Sequence, residues 1–200
     1  VFVTFEGIDG AGKSTQARLL AGALGPETIL LREPGGTPAG ERLREILKDP
    51  DLHLHARAEL LLFLAARAQL VEEVIRPALE SGRDVVCDRF MDSTTAYQGG
   101  ARGLGIEWAQ RLNEEAVAGC LPDRTVLLRV DPELAAGRGA GRGGFGDDRF
   151  EREGDGFQAA IAAAFEQLAA ADPGRFVVVD GAASEAEVHA RVLAGLGVGK

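Results

Sequence analysis

Gly7-Ile8-Asp9-Gly10-Ala11-Gly12-Lys13-Ser14 stands between an apolar run, Val1–Phe5, and a stretch carrying Ala17, Leu20, Ala21 and Leu24 at helical spacing. The octet has the form G-x-x-x-x-G-K-[S/T]. Its glycines let the backbone curl until several N–H groups point inward, a ready seat for phosphate oxygens. The helix that follows adds its positive N-terminal end. Lys13 can reach the outer phosphates of a nucleoside triphosphate, and the Ser14 hydroxyl can ligate Mg²⁺. Strand, glycine loop and helix in this order predict an α/β fold.

Working outward, short β-branched runs alternate with helical patterns, which argues for a parallel sheet. Strands are expected at Val1–Phe5, Thr28–Leu31, Asp84–Cys87, Thr125–Val130 and Phe176–Val179. Helices are expected at Ser14–Leu24, Ala39–Leu47, Ala56 to about Leu79, near Ser93–Gly99, and at Glu107–Ala118. Asp131-Pro132 opens another helix; Phe157, Ile161, Phe165 and Leu168 stripe the next. Ser184–Glu187 fits a capping box for the last. The expected architecture is a five-stranded parallel sheet flanked by helices on both faces, one domain over residues 1–200. The Ala56–Leu79 helix is apolar nearly all round and should be largely buried, with Pro77 kinking or ending it. Residues 137–156 hold eight glycines with Arg138, Arg142, Arg149 and Arg152. Such a stretch should be a mobile surface loop that buries no core, and beside a phosphate site it reads as an arginine- and glycine-rich lid.

Composition narrows the partners. The 200 residues carry a net charge of −9, which disfavours nucleic acid. No apolar run approaches the ~18–20 residues of a membrane span, and Val1–Phe5 lacks the basic flank and cleavage site of a signal peptide. Cys87 and Cys120 form no CxxC motif and read as core thiols in a reducing cytoplasm. A small anionic ligand still fits if positive charge gathers locally. Of 22 basic residues only Lys13, Lys48 and Lys200 are lysine, so Lys13 stands out in an arginine-preferring chain.

Polar motifs follow the first three strands: the octet, then Arg32-Glu33-Pro34-Gly35-Gly36-Thr37, then Asp88-Arg89. Ligands of open parallel sheets bind outside the carboxyl ends of strands, so the three describe one crevice. Asp88 can order a water on Mg²⁺, Arg89 can clamp a phosphate bidentately, and Arg32 and Pro34 fall beside an acceptor.

These residues together resemble the bacterial thymidylate kinase family. The likeness runs through Phe5–Gln16, Arg32–Thr37, Gly40–Arg44, Phe63 with Arg67, Asp88-Arg89-Phe90, Ser93 and Ala96-Tyr97-Gln98-Gly99. The resemblance implies a nucleoside monophosphate kinase fold that moves the γ-phosphate of ATP to dTMP with Mg²⁺, in dTTP synthesis, as a homodimer. It implies that Gly7–Thr15, Arg138 and Arg142 bind ATP. Phe63 stacks on thymine, Arg67 bonds its O4, and Thr94 and Gln98 lie near the base. Arg44 and Arg89 hold the acceptor phosphate with Arg32 and Pro34 nearby. Asp9 approaches the sugar 3′-hydroxyl, and Tyr97 fills the space of a 2′-hydroxyl. Asp9-Gly10-Ala11 has no arginine, so the lid should supply the one acting at the transferred phosphate. Asp148-Arg149-Phe150-Glu151 resembles the lid motif, with Arg149 first choice and Arg138 and Arg142 second. Lys13, Asp9, Arg89 and Arg149 are thus the expected catalytic set. The open alternatives are a kinase for another nucleoside monophosphate or a deoxynucleoside, and a nucleotide-binding sensor without turnover.

Overall fold

The structure is a computed structural model and describes residues 1–140, 149–150 and 153–198. Five strands, β1 (Phe2–Glu6), β2 (Ile29–Arg32), β3 (Val85–Asp88), β4 (Arg124–Arg129) and β5 (Phe176–Asp180), pair in parallel in the order β2-β3-β1-β4-β5. The central strands are buried on both sides. Val3, Phe5 and Val86 pack with Ala17 and Leu20 in one cluster, whereas Phe2, Val85 and Cys87 pack with Leu70, Ile75 and Phe90 in another. Successive strand residues point to opposite faces, so the expected helices on both sides follow directly.

The connecting helices are α1 (Lys13–Leu24), α2 (Pro38–Lys48), α3 (Ala56–Leu70), α4 (Arg76–Glu80), α5 (Met91–Thr94), α6 (Ile106–Val117), α7 (Pro132–Ala140), α8 (Asp155–Ala171) and α9 (Glu185–Leu196). Local chemistry fixes several ends. Ser184 and Glu187 form the expected capping box on α9. Thr37 caps α2 by accepting from Gly40 N, and Pro38 opens that helix where its missing N–H leaves no bond unmade.

Two expectations need correction. The helix expected from Ala56 to Leu79 is α3, a π-helical turn at Val71–Ile75, and α4. Pro77 sits in the first turn of α4, and the extra residue of the π turn absorbs the break that proline would force on a continuous helix. The helix is also less buried than expected: Leu61 is 56% exposed on a side that Ala65 shares. The second correction concerns the 137–156 loop. Residues 137–140 continue α7 and 155–156 begin α8, and Phe150 is buried in the main core despite its glycine-rich neighbours. Residues 141–148, 151 and 152, with Arg142, Asp148, Glu151 and Arg152 among them, lie outside the described residues. Cys87 and Cys120 are both buried and unbridged.

Candidate active site

The glycine loop leaves β1 and turns into α1. Gly7 and Gly10 both take positive φ, 140° and 79°. Gly10 is also a point of contact: a Cβ there would stand 2.1 Å from Ala135 O of α7. Only glycine permits both the backbone turn and that approach. Lys13 is buried, its Nζ donating to Ile8 O at 2.8 Å across the loop. Burial and the nearby Arg89 push the Lys13 ammonium down to about 8, against the pull of Asp9, Asp88 and Glu6. Ser14 Oγ donates to Asp88 Oδ2.

Arg89, just past β3, holds a φ of 69°, rare for a residue with a side chain. The turn is pinned from beneath. Glu6 Oε1 accepts from Phe90 N at 2.8 Å and Ser93 N at 3.1 Å, and Glu6 Oε2 accepts from Ser93 Oγ at 2.5 Å. Arg89 Nη1 donates to Ser93 Oγ and Gly7 O; Nη2 donates to Asp9 Oδ1 at 2.5 Å and to Tyr97 OH at 3.0 Å. Tyr97 OH in turn donates to Asp9 Oδ2 at 2.9 Å. Burial alone would raise the Asp9 carboxyl, but Arg89, Lys13 and the Tyr97 bond hold it at about 2. Asp9 is therefore a carboxylate at neutral pH.

Beyond this junction a cavity of about 260 Å³ opens, lined among others by Lys13, Pro34, Arg44, Phe63, Arg67, Thr94, Tyr97, Gln98 and Phe150. Arg32 and Arg44 both donate to Pro34 O, and Glu41 accepts from Arg32 and Gly36 N, which folds the Arg32–Thr37 turn onto α2. Arg67, only 1% exposed, donates from Nε and Nη2 to Glu33 Oε2, from Nη2 to Phe90 O, and from Nη1 to Asn113 Oδ1. These bonds engage four of its five N–H groups, leaving one on Nη1. Thr94 Oγ1 and Gln98 Oε1 are buried with no hydrogen-bond partner among the described residues. Phe63 faces Phe150 at 5.9 Å between ring centroids.

Most of the described residues singled out above line this crevice; Gly7, Ile8, Ala11 and Thr15 belong to the loop and the start of α1 without lining it, and two arginines lie at its margins. Arg138 donates to Gly181 O at 2.9 Å and to Ala183 O, beside the loop, since Gly181 abuts Ala11 O. Arg149 donates to Leu47 O at 3.2 Å and to Glu59 Oε2 at 2.6 Å, behind the acceptor cavity rather than in it. The structural roles of Glu6, Glu33, Glu59 and Asn113 escaped the sequence reading. Their one signal was polarity inside apolar runs: Glu6 ends a buried strand, and Glu59 precedes Leu60-Leu61-Leu62.

A curled phosphate loop facing a cation-lined slot across one sheet edge defines a P-loop phosphotransferase, because such chemistry needs little more than two polyanions held in line. Comparison with known proteins narrows the class. The family profile described as thymidylate kinase matches residues 5–192. The thymidylate kinase of Halorhodospira halophila is 50% identical over 202 residues, covering 98% of this chain and 93% of the relative. That of Deinococcus radiodurans is 46% identical over 197 residues, covering 97% and 95%. The crystal structure of thymidylate kinase from Ehrlichia chaffeensis superposes with a TM-score of 0.80 at 33% identity, covering 98% of each chain. The chain belongs to the thymidylate kinase family.

Proposed function

We propose that the chain transfers the γ-phosphate of ATP to dTMP, giving ADP and dTDP for dTTP supply. The observation that carries this reading is the acceptor cavity. It offers an apolar wall at Phe63 and, with no partner among the described residues, one N–H of Arg67, the Thr94 hydroxyl and the Gln98 carbonyl. Thymine presents the complement: a flat ring, a carbonyl at C4 and an N–H at N3. An ADP-release assay across nucleoside monophosphates and deoxynucleosides tests it. Turnover with dTMP well above all others is expected; equal turnover with another acceptor, or none with any, would overturn it.

The residues divide the work. Gly7–Thr15 seat the triphosphate, with Lys13 moving from Ile8 O to the phosphates and Arg138 flanking the donor; Arg142, outside the described residues, is a second donor-binding cation by family resemblance. Arg89, Arg44 and Arg32 hold the acceptor phosphate. A phosphate monoester is largely dianionic at pH 7, with a second pKa near ~6, so it attacks without a general base. The carboxylate of Asp9 instead orients Arg89 and the sugar 3′-hydroxyl. Tyr97, fixed by Asp9 and Arg89, occupies the space of a 2′-hydroxyl.

Ser14 and Asp88 fit a divalent cation: they already touch, and Asp88 Oδ1 is buried without a partner among the described residues. Mg²⁺ there would neutralise charge on the donor phosphates. Arg149 acts on the transferred phosphate once it leaves Glu59, as the lid arginine of a single kinase domain. The exposed Leu61 side of α3 suits a homodimer; a monomer by light scattering at micromolar concentration would refute that. No described helix is long and apolar enough to cross a membrane, and two buried free thiols suit a cytoplasmic setting.

A further inference from the structure

We propose that Glu59 is a positioning residue that sets base selectivity, by fixing which end of the Gln98 amide faces the acceptor cavity. The proposal rests on the thymidylate reading above. Glu59, Phe63 and Arg67 lie four residues apart on α3 and so share one face. Phe63 and Arg67 line the cavity, whereas Glu59 is fully buried behind it.

Its two oxygens receive four contacts. Gln98 Nε2 donates to Oε1 at 2.8 Å and Arg102 Nε to the same oxygen at 3.2 Å. Arg149 Nη2 donates to Oε2 at 2.6 Å, and Arg102 Nη2 reaches that oxygen at 3.4 Å. Arg102 is itself braced by Glu153.

All four contacts come from N–H donors, three of them on guanidinium groups, so both Glu59 oxygens accept and neither donates. A primary amide has a donor end and an acceptor end. Only the donor end can face a buried carboxylate, so the Gln98 carbonyl must turn the other way. There Oε1 is found: buried and unpartnered among the described residues, on a side chain that lines the cavity. An acceptor held in that position pairs with an N–H of the ligand and opposes a ring nitrogen bearing a lone pair. Glu33 imposes the converse polarity on its neighbour, since it can only accept from Arg67. The cavity therefore presents a donor from Arg67 and an acceptor from Gln98, each backed by a buried carboxylate. A C4 carbonyl beside N3–H satisfies both; the 4-amino group and bare N3 of cytosine satisfy neither. If Arg149 departs during turnover, Arg102 still holds Glu59.

The test compares kcat/KM for dTMP and dCMP. A wild-type protein that leaves dTMP unphosphorylated would defeat the thymidylate reading itself. Given wild-type preference for dTMP, Glu59→Gln should cut the dTMP-to-dCMP ratio by roughly ten- to a hundredfold, because a glutamine can accept or donate and lets Gln98 turn over. KM for ATP should not move. In a Gln98→Leu background the same substitution should leave the ratio where Gln98→Leu alone sets it. An unchanged ratio in Glu59→Gln, or an equal further drop in the Gln98→Leu background, would overturn the proposal. Should Glu59→Gln fail to fold, wild-type protein decides. The Gln98 side-chain amide protons should exchange slowly with solvent, both free and with dTMP bound, whereas rapid exchange in either state rejects the carboxylate contact.

Discussion

The two halves of the crevice are built from different materials. The proposed donor half is backbone: N–H groups of Gly7–Ser14 and the start of α1, with one lysine and one hydroxyl added. The proposed acceptor half is side chain: Phe63, Arg67, Tyr97 and Gln98, each polar one held by a buried or half-buried glutamate or aspartate. Phosphate has the same shape in every nucleotide, so a curled main chain recognises it without choosing among bases. A base must be read by donors and acceptors of set polarity, and long side chains hold a set polarity only when something behind them is fixed. Substitutions on the donor side should therefore weaken turnover with all acceptors alike. Those on the acceptor side should change which acceptor is used.

The largest effect expected belongs to neither half but to the phosphate that passes between them. Arg149→Ala should lower kcat by about 10³–10⁵-fold with little change in KM for ATP, as befits a cation acting on the transition state. Steady-state kinetics decide, and an unchanged kcat would leave Arg149 only its contact with Glu59. On the acceptor side, Arg67→Met strips the cation from Glu33, and both groups are almost fully buried. Burial already raises the Glu33 carboxyl against the opposing pull of Arg67. Loss of that partner should cost about 3–5 kcal/mol of stability in urea denaturation, with the preference for thymine falling as well. A variant as stable as wild type would mean that the pair does not support the slot.

Smaller still is the sugar end. Tyr97→Ala should narrow the preference for dTMP over its ribose analogue, by roughly tenfold in the ratio of kcat/KM values, since a modest steric gate is worth about that much. Tyr97→Phe keeps the ring and should keep the ratio. Equal ratios in wild type and Tyr97→Ala would dismiss the exclusion of the 2′-hydroxyl.

The same contrast governs what could be read from the chain. Gly7–Ser14 was legible because backbone curling needs glycine at fixed offsets, and the strand and helix on either side follow from hydrophobic period. The parallel sheet was legible for a similar reason, as buried strands alternate with helical spacing. Arg67 and Gln98 could be assigned only through resemblance, because nothing local distinguishes them from core helix residues. Glu33, Glu59 and Asn113 meet Arg67 or Gln98 across sequence separations of 34 to 46 residues, which no local pattern encodes. Phe150 was misjudged for the opposite reason: its glycine-rich neighbourhood argued against burial, while the aromatic rings of Phe63 and Tyr97 provide the contact that buries it.

Glu6 joins the two halves, and it gives the subtlest prediction. It ends β1, directly before the loop, yet its carboxyl serves the acceptor side by receiving Phe90 N, Ser93 N and Ser93 Oγ. The first residues of α5 have no side-chain cap of their own, so a strand on the far side of the turn supplies it. Burial, and then Asp92, push the Glu6 carboxyl up from 4.5 to about 8, although Ser93, Arg89 and Phe90 pull the other way. In the unfolded chain it ionises near its ordinary value. Between these two points the folded state holds more protons than the unfolded one, so stability from Glu6 is complete below about pH 4.5 and drains away as pH climbs through about 8. The slope from one such group is at most ~1.4 kcal/mol per pH unit. Glu6→Gln keeps the shape and removes the titration. Relative to wild type, the variant should gain stability as pH rises across that window and then level off, read as urea midpoints at successive pH values. A difference between the two proteins that is constant from pH 5 to pH 9 would show that Glu6 is ionised throughout. The turn carrying Arg89 would then be clamped by a carboxylate at every working pH, and the acceptor half would be as insensitive to protons as the backbone of the donor half.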